Sequence, residues 1–171
     1  MNFAITSRRL YVFLFLISAF ILAYAYQLQF NLGLEPCPLC VLQRIGFFLL
    51  GIFSLITAMV YRIAILRFIF ASLAFLSSLA GMAIAARQVW LQHLPAGQAP
   101  ACGPGLYFII KNWPLGDAIK LMLKGTAECS VVTWKFLNLS IAEWSLLLFF
   151  GFAICLFALF FWRERPKKTS F

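Results

Sequence analysis

The chain has 171 residues, of which 64% are hydrophobic and 11% charged, with a mean hydropathy of +0.95 and a formal net charge of +9. This composition excludes an ordinary soluble domain and indicates an integral membrane protein. The charge calls for no nucleic-acid partner, because most of it sits in short clusters beside apolar segments, where anionic lipid attracts it.

Four uncharged runs follow one another at 10–26, 45–61, 68–86 and 144–162, of 17, 17, 19 and 19 residues. Each is close to the ~20 apolar residues that let an α-helix cross a ~30 Å hydrocarbon core. Backbone groups in lipid must be bonded within their own segment, and period-two alternation is absent, so helices rather than a barrel are predicted. The expected architecture is a single all-α domain of residues 1–171. Its four transmembrane helices lie near 10–26, 41–61, 68–86 and 144–162, with loops near 27–40 and 87–143.

Orientation follows from Lys and Arg. Arg8 and Arg9 precede the first run, Arg62 and Arg67 separate the second and third, and Arg163, Arg165, Lys167 and Lys168 follow the fourth. This alternation places both termini on the inner side of the membrane and the loops near 27–40 and 87–143 on the outer side. The first segment also resembles a secretory signal around Ala23, Tyr24 and Ala25. A retained helix fits its length and its interfacial tyrosines better, and cleavage would leave the downstream topology unchanged.

At the head of the second helix stands Cys37-Pro38-Leu39-Cys40, with Arg44 one turn beyond. Pro38 suits the first helical turn, where its missing N–H costs nothing. Free N–H groups and the positive end of the helix dipole then face the cysteines, and Cys40, inside that turn, is the one expected to hold a thiolate more readily. Arg44, at i+4 from Cys40, either supports that thiolate or a bound ligand, or snorkels to the headgroups. Glu35 reads as a solvated loop charge, and Arg87 as a cation at a helix C-terminus.

The long loop carries Cys102 and Cys129. Its apolar stretches at 106–110 and 118–124 are too short to span, and suit either an interfacial helix or a segment packed on the helix ends. His93, the sole histidine, is a candidate ligand neighbour at the end of the third helix. Cys155 falls within the fourth helix, where an inert packing role is expected.

Static disulfides are the competing explanation for the cysteines. A Cys102–Cys129 bridge would close a loop worth roughly 3.6 kcal/mol in the chain-entropy model, but bridging Cys37 to Cys40 constrains little chain. C-x-x-C is a redox or metal spacing. A zinc site lacks a second such pair, and haem attachment lacks a histidine after Cys40, where Val41 stands. No metal is therefore expected.

Four helices, Cys37-Pro38-Leu39-Cys40 followed by Gln43-Arg44, and the later pair Cys102 and Cys129 together resemble the bacterial disulfide bond formation protein B (DsbB) family over nearly the whole chain. The order of the cysteines differs from the vitamin K epoxide reductase family, whose loop pair comes first. The resemblance implies an oxidoreductase that recharges a periplasmic thioredoxin-fold (DsbA-like) dithiol oxidase and passes electrons to a membrane quinone, ubiquinone or menaquinone. It further implies that a partner thiolate attacks Cys102 and that Cys129, once released, exchanges with Cys37. Cys40 then engages quinone near Arg44 in a charge-transfer complex, with His93 as a further candidate at the quinone. A static membrane anchor or assembly protein, and a relative dedicated to one substrate, are the alternative readings.

Overall fold

The computed structural model describes residues 2–33, 36–95, 108, 111–132 and 134–161. Its elements are α1 (Asn2–Leu32), α2 (Pro38–Met59), α3 (Ala64–Gln92), α4 (Leu115–Lys124), α5 (Ala127–Ser130), β1 (Lys135–Phe136), β2 (Leu139–Ser140) and α6 (Ile141–Phe161). Among the described residues, α1, α2, α3 and α6 are long and apolar enough to cross a membrane. The protein is thus an all-α membrane protein with four spanning helices.

α1 and α3 extend past both ends of the uncharged runs that mark them, whereas α2 and α6 begin before their runs. A charge ends an apolar run, but it does not end a helix: α3 continues through Arg67 at one end and Arg87 at the other. At ~1.5 Å per residue its 29 residues reach roughly 44 Å, beyond a ~30 Å hydrocarbon core. α2 begins as expected, with Pro38 in its first turn and Cys37 as its N-cap.

Packing runs α1 on α2, α2 on α3 and α3 on α6. Lipid tails are as apolar as leucine, so close approach of the backbones has to hold such helices together. On α3 the buried residues Ala71, Ala74, Ser78, Gly81, Ala85 and Gln88 recur at alternating steps of three and four, forming one narrow face. The ring of Phe149 from α6 enters this face. It stacks on Phe47 with ring centroids 3.9 Å apart, and a Cβ on Gly81 would collide with its edge. The Ser78 hydroxyl donates to the Phe149 carbonyl at 2.8 Å, which ties α3 to α6 at the same height.

Between α3 and α6 the chain builds small structures. The apolar stretch at 118–124 belongs to α4, a helix with one apolar face whose Ala118 and Met122 pack against Val41 and Leu42 of α2. The stretch at 106–110 lies outside the described residues apart from Phe108. A two-residue hairpin pairs Lys135 with Ser140 and Phe136 with Leu139. Leu137 (φ 49°) and Asn138 (φ 65°) form its turn, the two left-handed positions that a type I′ hairpin requires. Ser140 and Glu143 then cap α6 reciprocally, the Glu143 N–H donating to Ser140 Oγ at 3.3 Å and the Ser140 N–H to Glu143 Oε2 at 2.6 Å.

Candidate functional site

Three cysteines meet at the N-terminus of α2. Cys37 Sγ lies 3.0 Å from Cys40 Sγ and accepts the Cys40 backbone N–H at 3.4 Å. Cys129, fully buried on α5, reaches the same place and hydrogen-bonds with Cys37. Leu39 and Leu91 complete this buried cluster. Gly125 brings α5 down: its φ of +78° with ψ of 158° is backbone that only glycine adopts readily, and a Cβ there would lie 2.6 Å from Leu91 Cδ1.

Among the described residues, the two thiols outside the spanning helices are polarised in opposite directions. Cys37 is pushed well above the ordinary thiol value by its hydrogen bonds with Cys129 and Cys40 and by burial, and so keeps its proton. Cys129 is brought down to about 6 by the Cys37 hydrogen bond, with backbone donors at Thr126 and Leu39 adding to it and burial opposing. These directions belong to the reduced state, and the packing of Cys129 beside Cys37 is the contact that thiol–disulfide exchange between them needs.

Buried carboxamides surround the α2 pair. Gln43 Nε2 donates to Gln88 Oε1 at 2.7 Å, and Gln88 Nε2 faces Cys40 Sγ at 3.3 Å and Cys37 Sγ at 3.6 Å. On its other side Cys40 lines a cavity of about 470 Å³ between α1, α2, the hairpin and α6. Its walls are chiefly apolar, including Ile17, Ile21, Leu28, Phe47 and Leu148, with Trp134, Phe136 and Trp144 at the hairpin side. Trp144 Nε1 donates to the Phe136 carbonyl at 3.0 Å, which fixes the aromatic wall.

Arg44 also lines this cavity. Its guanidinium donates to Gln29 Oε1 at 2.5 Å and to the Ala25 carbonyl at 3.3 Å, and it lies 5.0 Å from the Tyr26 ring centre. It is therefore held toward α1, while the carboxamide donor on Cys40 comes from α3.

Of the sequence candidates, the structure brings Cys37, Cys40, Cys129 and Arg44 together. His93 forms the C-cap of α3 with its ring against the Val89 carbonyl, and is not among the residues lining the cavity. Arg87 sits 4.6 Å from the centre of the Trp90 ring and reaches the Lys124 carbonyl at 3.5 Å, tying α3 to the end of α4. Cys102 and Glu35 lie outside the described residues. Cys155 is exposed on α6, facing away from the bundle rather than packing inside it. Gln29, Gln88 and the hairpin aromatics escaped sequence reasoning. Gln88 follows Arg87, beyond the uncharged run at 68–86, so hydropathy gives no sign that it is buried.

Comparison with known proteins identifies the family. A family model described as disulfide bond formation protein DsbB matches residues 7–159. Among similar proteins, the disulfide bond formation protein B of Hahella chejuensis is 43% identical over 164 residues, covering 95% of this chain and 98% of the relative. Those of Stutzerimonas stutzeri (44% identical, 89% of this chain and 94% of the relative) and Psychrobacter sp. (42%, 97% and 98%) align at similar length. With its C-x-x-C pair, its opposed Cys129 and a match spanning nearly its whole length, the chain belongs to the DsbB family.

Proposed function

We propose that this protein is a thiol:quinone oxidoreductase of the bacterial inner membrane, which reoxidises a periplasmic thioredoxin-fold dithiol oxidase. The observation that carries this reading is the continuous line of sulfurs from Cys129 through Cys37 to Cys40, ending on the wall of an apolar cavity that also holds Arg44. Both termini are cytoplasmic and the cysteine-bearing connections periplasmic, in keeping with the clusters at Arg8 and Arg9, Arg62 and Arg67, and the basic C-terminal end.

Exchange then proceeds by bonds that balance. A partner thiolate attacks Cys102 of a Cys102–Cys129 disulfide, and Cys129 leaves as a thiolate with the bonding pair. Cys129 attacks Cys37 of the Cys37–Cys40 disulfide, the new Cys129–Cys37 bond forms, and Cys40 leaves as a thiolate. The partner's second thiolate resolves the mixed disulfide and frees Cys102, which attacks Cys129, restores the loop pair and releases Cys37. The partner is now oxidised, and Cys37 and Cys40 hold the two electrons.

The cavity suits a quinone, whose flat apolar ring matches the Trp134, Phe136, Phe47 and Trp144 surfaces and whose carbonyl oxygens match the guanidinium donors of Arg44. When bound, a quinone supplies a two-electron sink, so that Cys37 and Cys40 close to a disulfide while two electrons and two protons depart as quinol. An acceptor of this strength is needed because DsbA, at about −120 mV, can be recharged only by a stronger oxidant, and a DsbA-like partner makes the same demand. Arg44 orients the ring, and the apolar wall excludes water from the Cys40 sulfur.

Purified protein, given ubiquinone or menaquinone, should oxidise a reduced thioredoxin-fold partner over many turnovers with stoichiometric quinol. Cys37→Ala and Cys102→Ala should abolish this, while Cys155→Ala should leave it intact. Oxidation that stops at the disulfides initially present in the protein, whichever quinone is added, would return the cysteines to a static role.

A further inference from the structure

Gln88 is an uncharged polar side chain on the buried face of α3, between the small residues from Ala71 to Ala85 and Leu91, and it is 4% exposed. A carboxamide in such a place is costly unless its donors and acceptor are satisfied. Its Oε1 is taken by the Gln43 Nε2 at 2.7 Å, and Gln43 is itself 3% exposed. With Oε1 so engaged, the NH2 group is the end nearer the cysteines, 3.3 Å from Cys40 Sγ and 3.6 Å from Cys37 Sγ, while the reduced Cys40 thiol also donates to Oε1 at 3.7 Å. The guanidinium of Arg44 is directed instead to Gln29, Ala25 and Tyr26.

We infer that Gln88, locked by Gln43, is the hydrogen-bond donor that stabilises the Cys40 thiolate when the Cys37–Cys40 bond opens. The inference rests on the relay proposed above, in which Cys40 is the leaving sulfur. A neutral donor is suited to this place. It lowers the cost of negative charge on Cys40 in a buried site, yet it adds no charge of its own that would have to be buried while the pair is a disulfide. The same NH2 group lies within reach of both sulfurs, so the donor remains in place whether Cys37 is bonded to Cys40 or to Cys129. Gln43 belongs to the helix that carries the pair and Gln88 to its neighbour, so the bond between them also sets the spacing of α2 and α3 at the sulfurs.

The titratable or charged groups around Cys40 among the described residues are the Cys37 and Cys129 thiols, Arg44 and, on the α1 wall of the cavity, Tyr24. The test therefore uses the full-length chain with Cys40 as its only cysteine, and follows the rate of Cys40 alkylation by iodoacetamide against pH. In this background Gln88→Leu should slow alkylation at neutral pH about tenfold or more and move the profile to more alkaline pH, the scale expected for one hydrogen bond to a charged group. Gln88→Glu, which keeps the shape but brings a carboxylate, should move it at least as far. Gln43→Leu, which releases the Gln88 amide to rotate, should move it less. Profiles for both Gln88 variants that coincide with that of the parent would overturn the inference. Turnover of the wild-type protein with quinone is measured separately: its absence defeats the relay, whereas normal turnover with unmoved alkylation profiles defeats only the role of Gln88.

Discussion

Cys129 and Cys37 touch within one buried cluster, although one belongs to a four-residue helix between α3 and α6 and the other is the N-cap of α2. Their opposed acidities give the contact a direction. With both thiols reduced, Cys37 keeps its proton and donates it toward Cys129.

That polarity can be read by titration of the reduced protein. The difference in thiolate absorbance between wild type and Cys129→Ala should show a group titrating near pH 6. Because the Cys37 hydrogen bond is the leading cause of the lowering, Cys37→Ala should carry the Cys129 titration upward, toward the ordinary value near ~8.5. At pH 7 this takes the thiolate from about 90% of molecules to about 3%. A Cys129 titration that stays near 6 in Cys37→Ala would place the cause in the backbone donors instead.

Arg44 offers a planar fork of donors to the cavity. Arg44→Lys keeps the charge but not the fork, and Arg44→Ala loses both. Apparent quinone affinity should fall in the order wild type, Lys, Ala. Loss of a charged hydrogen bond, about 1.5 to 3 kcal/mol, corresponds to roughly 10- to 150-fold. Exchange between the partner and the Cys102–Cys129 pair should be largely preserved in both variants. Steady-state kinetics at varied quinone, beside single-turnover exchange without it, separates the two effects.

Gly125 packs against Leu91 and Leu39 beside Cys129. Gly125→Ala places a methyl group against Leu91 in backbone that alanine adopts only under strain of about 1–3 kcal/mol. The expected result is slower passage of the disulfide from the loop pair to Cys37, with quinone affinity unchanged. Rapid-quench trapping of the Cys129–Cys37 species measures it, and normal accumulation of that species would show that α5 tolerates the shift.

Topology is checked with a membrane-impermeant thiol reagent on intact, reduced cells. Label should enter at Cys37, Cys40, Cys102 or Cys129, and not at Cys155, which lies on a lipid-facing surface of α6. Labelling that requires opening the cytoplasmic face would invert the proposed orientation.

Much of this was legible in the residues. Four apolar runs sufficed for four spanning helices, and the Cys37-Pro38-Leu39-Cys40 spacing with Arg44 one turn on carried both the start of α2 and the family resemblance. The helix ends were less visible, because Arg67 and Arg87 interrupt hydropathy without interrupting backbone hydrogen bonding. The hairpin was hidden because its turn uses Leu137 and Asn138 rather than the glycine that usually announces one. The link between Gln43 and Gln88 joins two helices, and no periodicity within either one encodes which residues of its neighbour it will meet. The small-residue face of α3 was there to be read, since its alternating spacing lies within a single segment.

The socket that receives Phe149 has a consequence for the cavity some distance along the same helix. Phe149 and Trp144 are both on α6, and at ~1.5 Å per residue their five-residue separation is about 7.5 Å along the axis. A ring seated against Gly81 cannot slide by a one-turn step of ~5.4 Å without leaving its socket, so it acts as a depth stop for α6. The height of Trp144, and through its indole N–H that of Phe136, is thereby indexed to α3. A substitution at Gly81 should accordingly misalign the aromatic wall beside Cys40, altering ligand fit from a position that touches neither sulfur nor cavity.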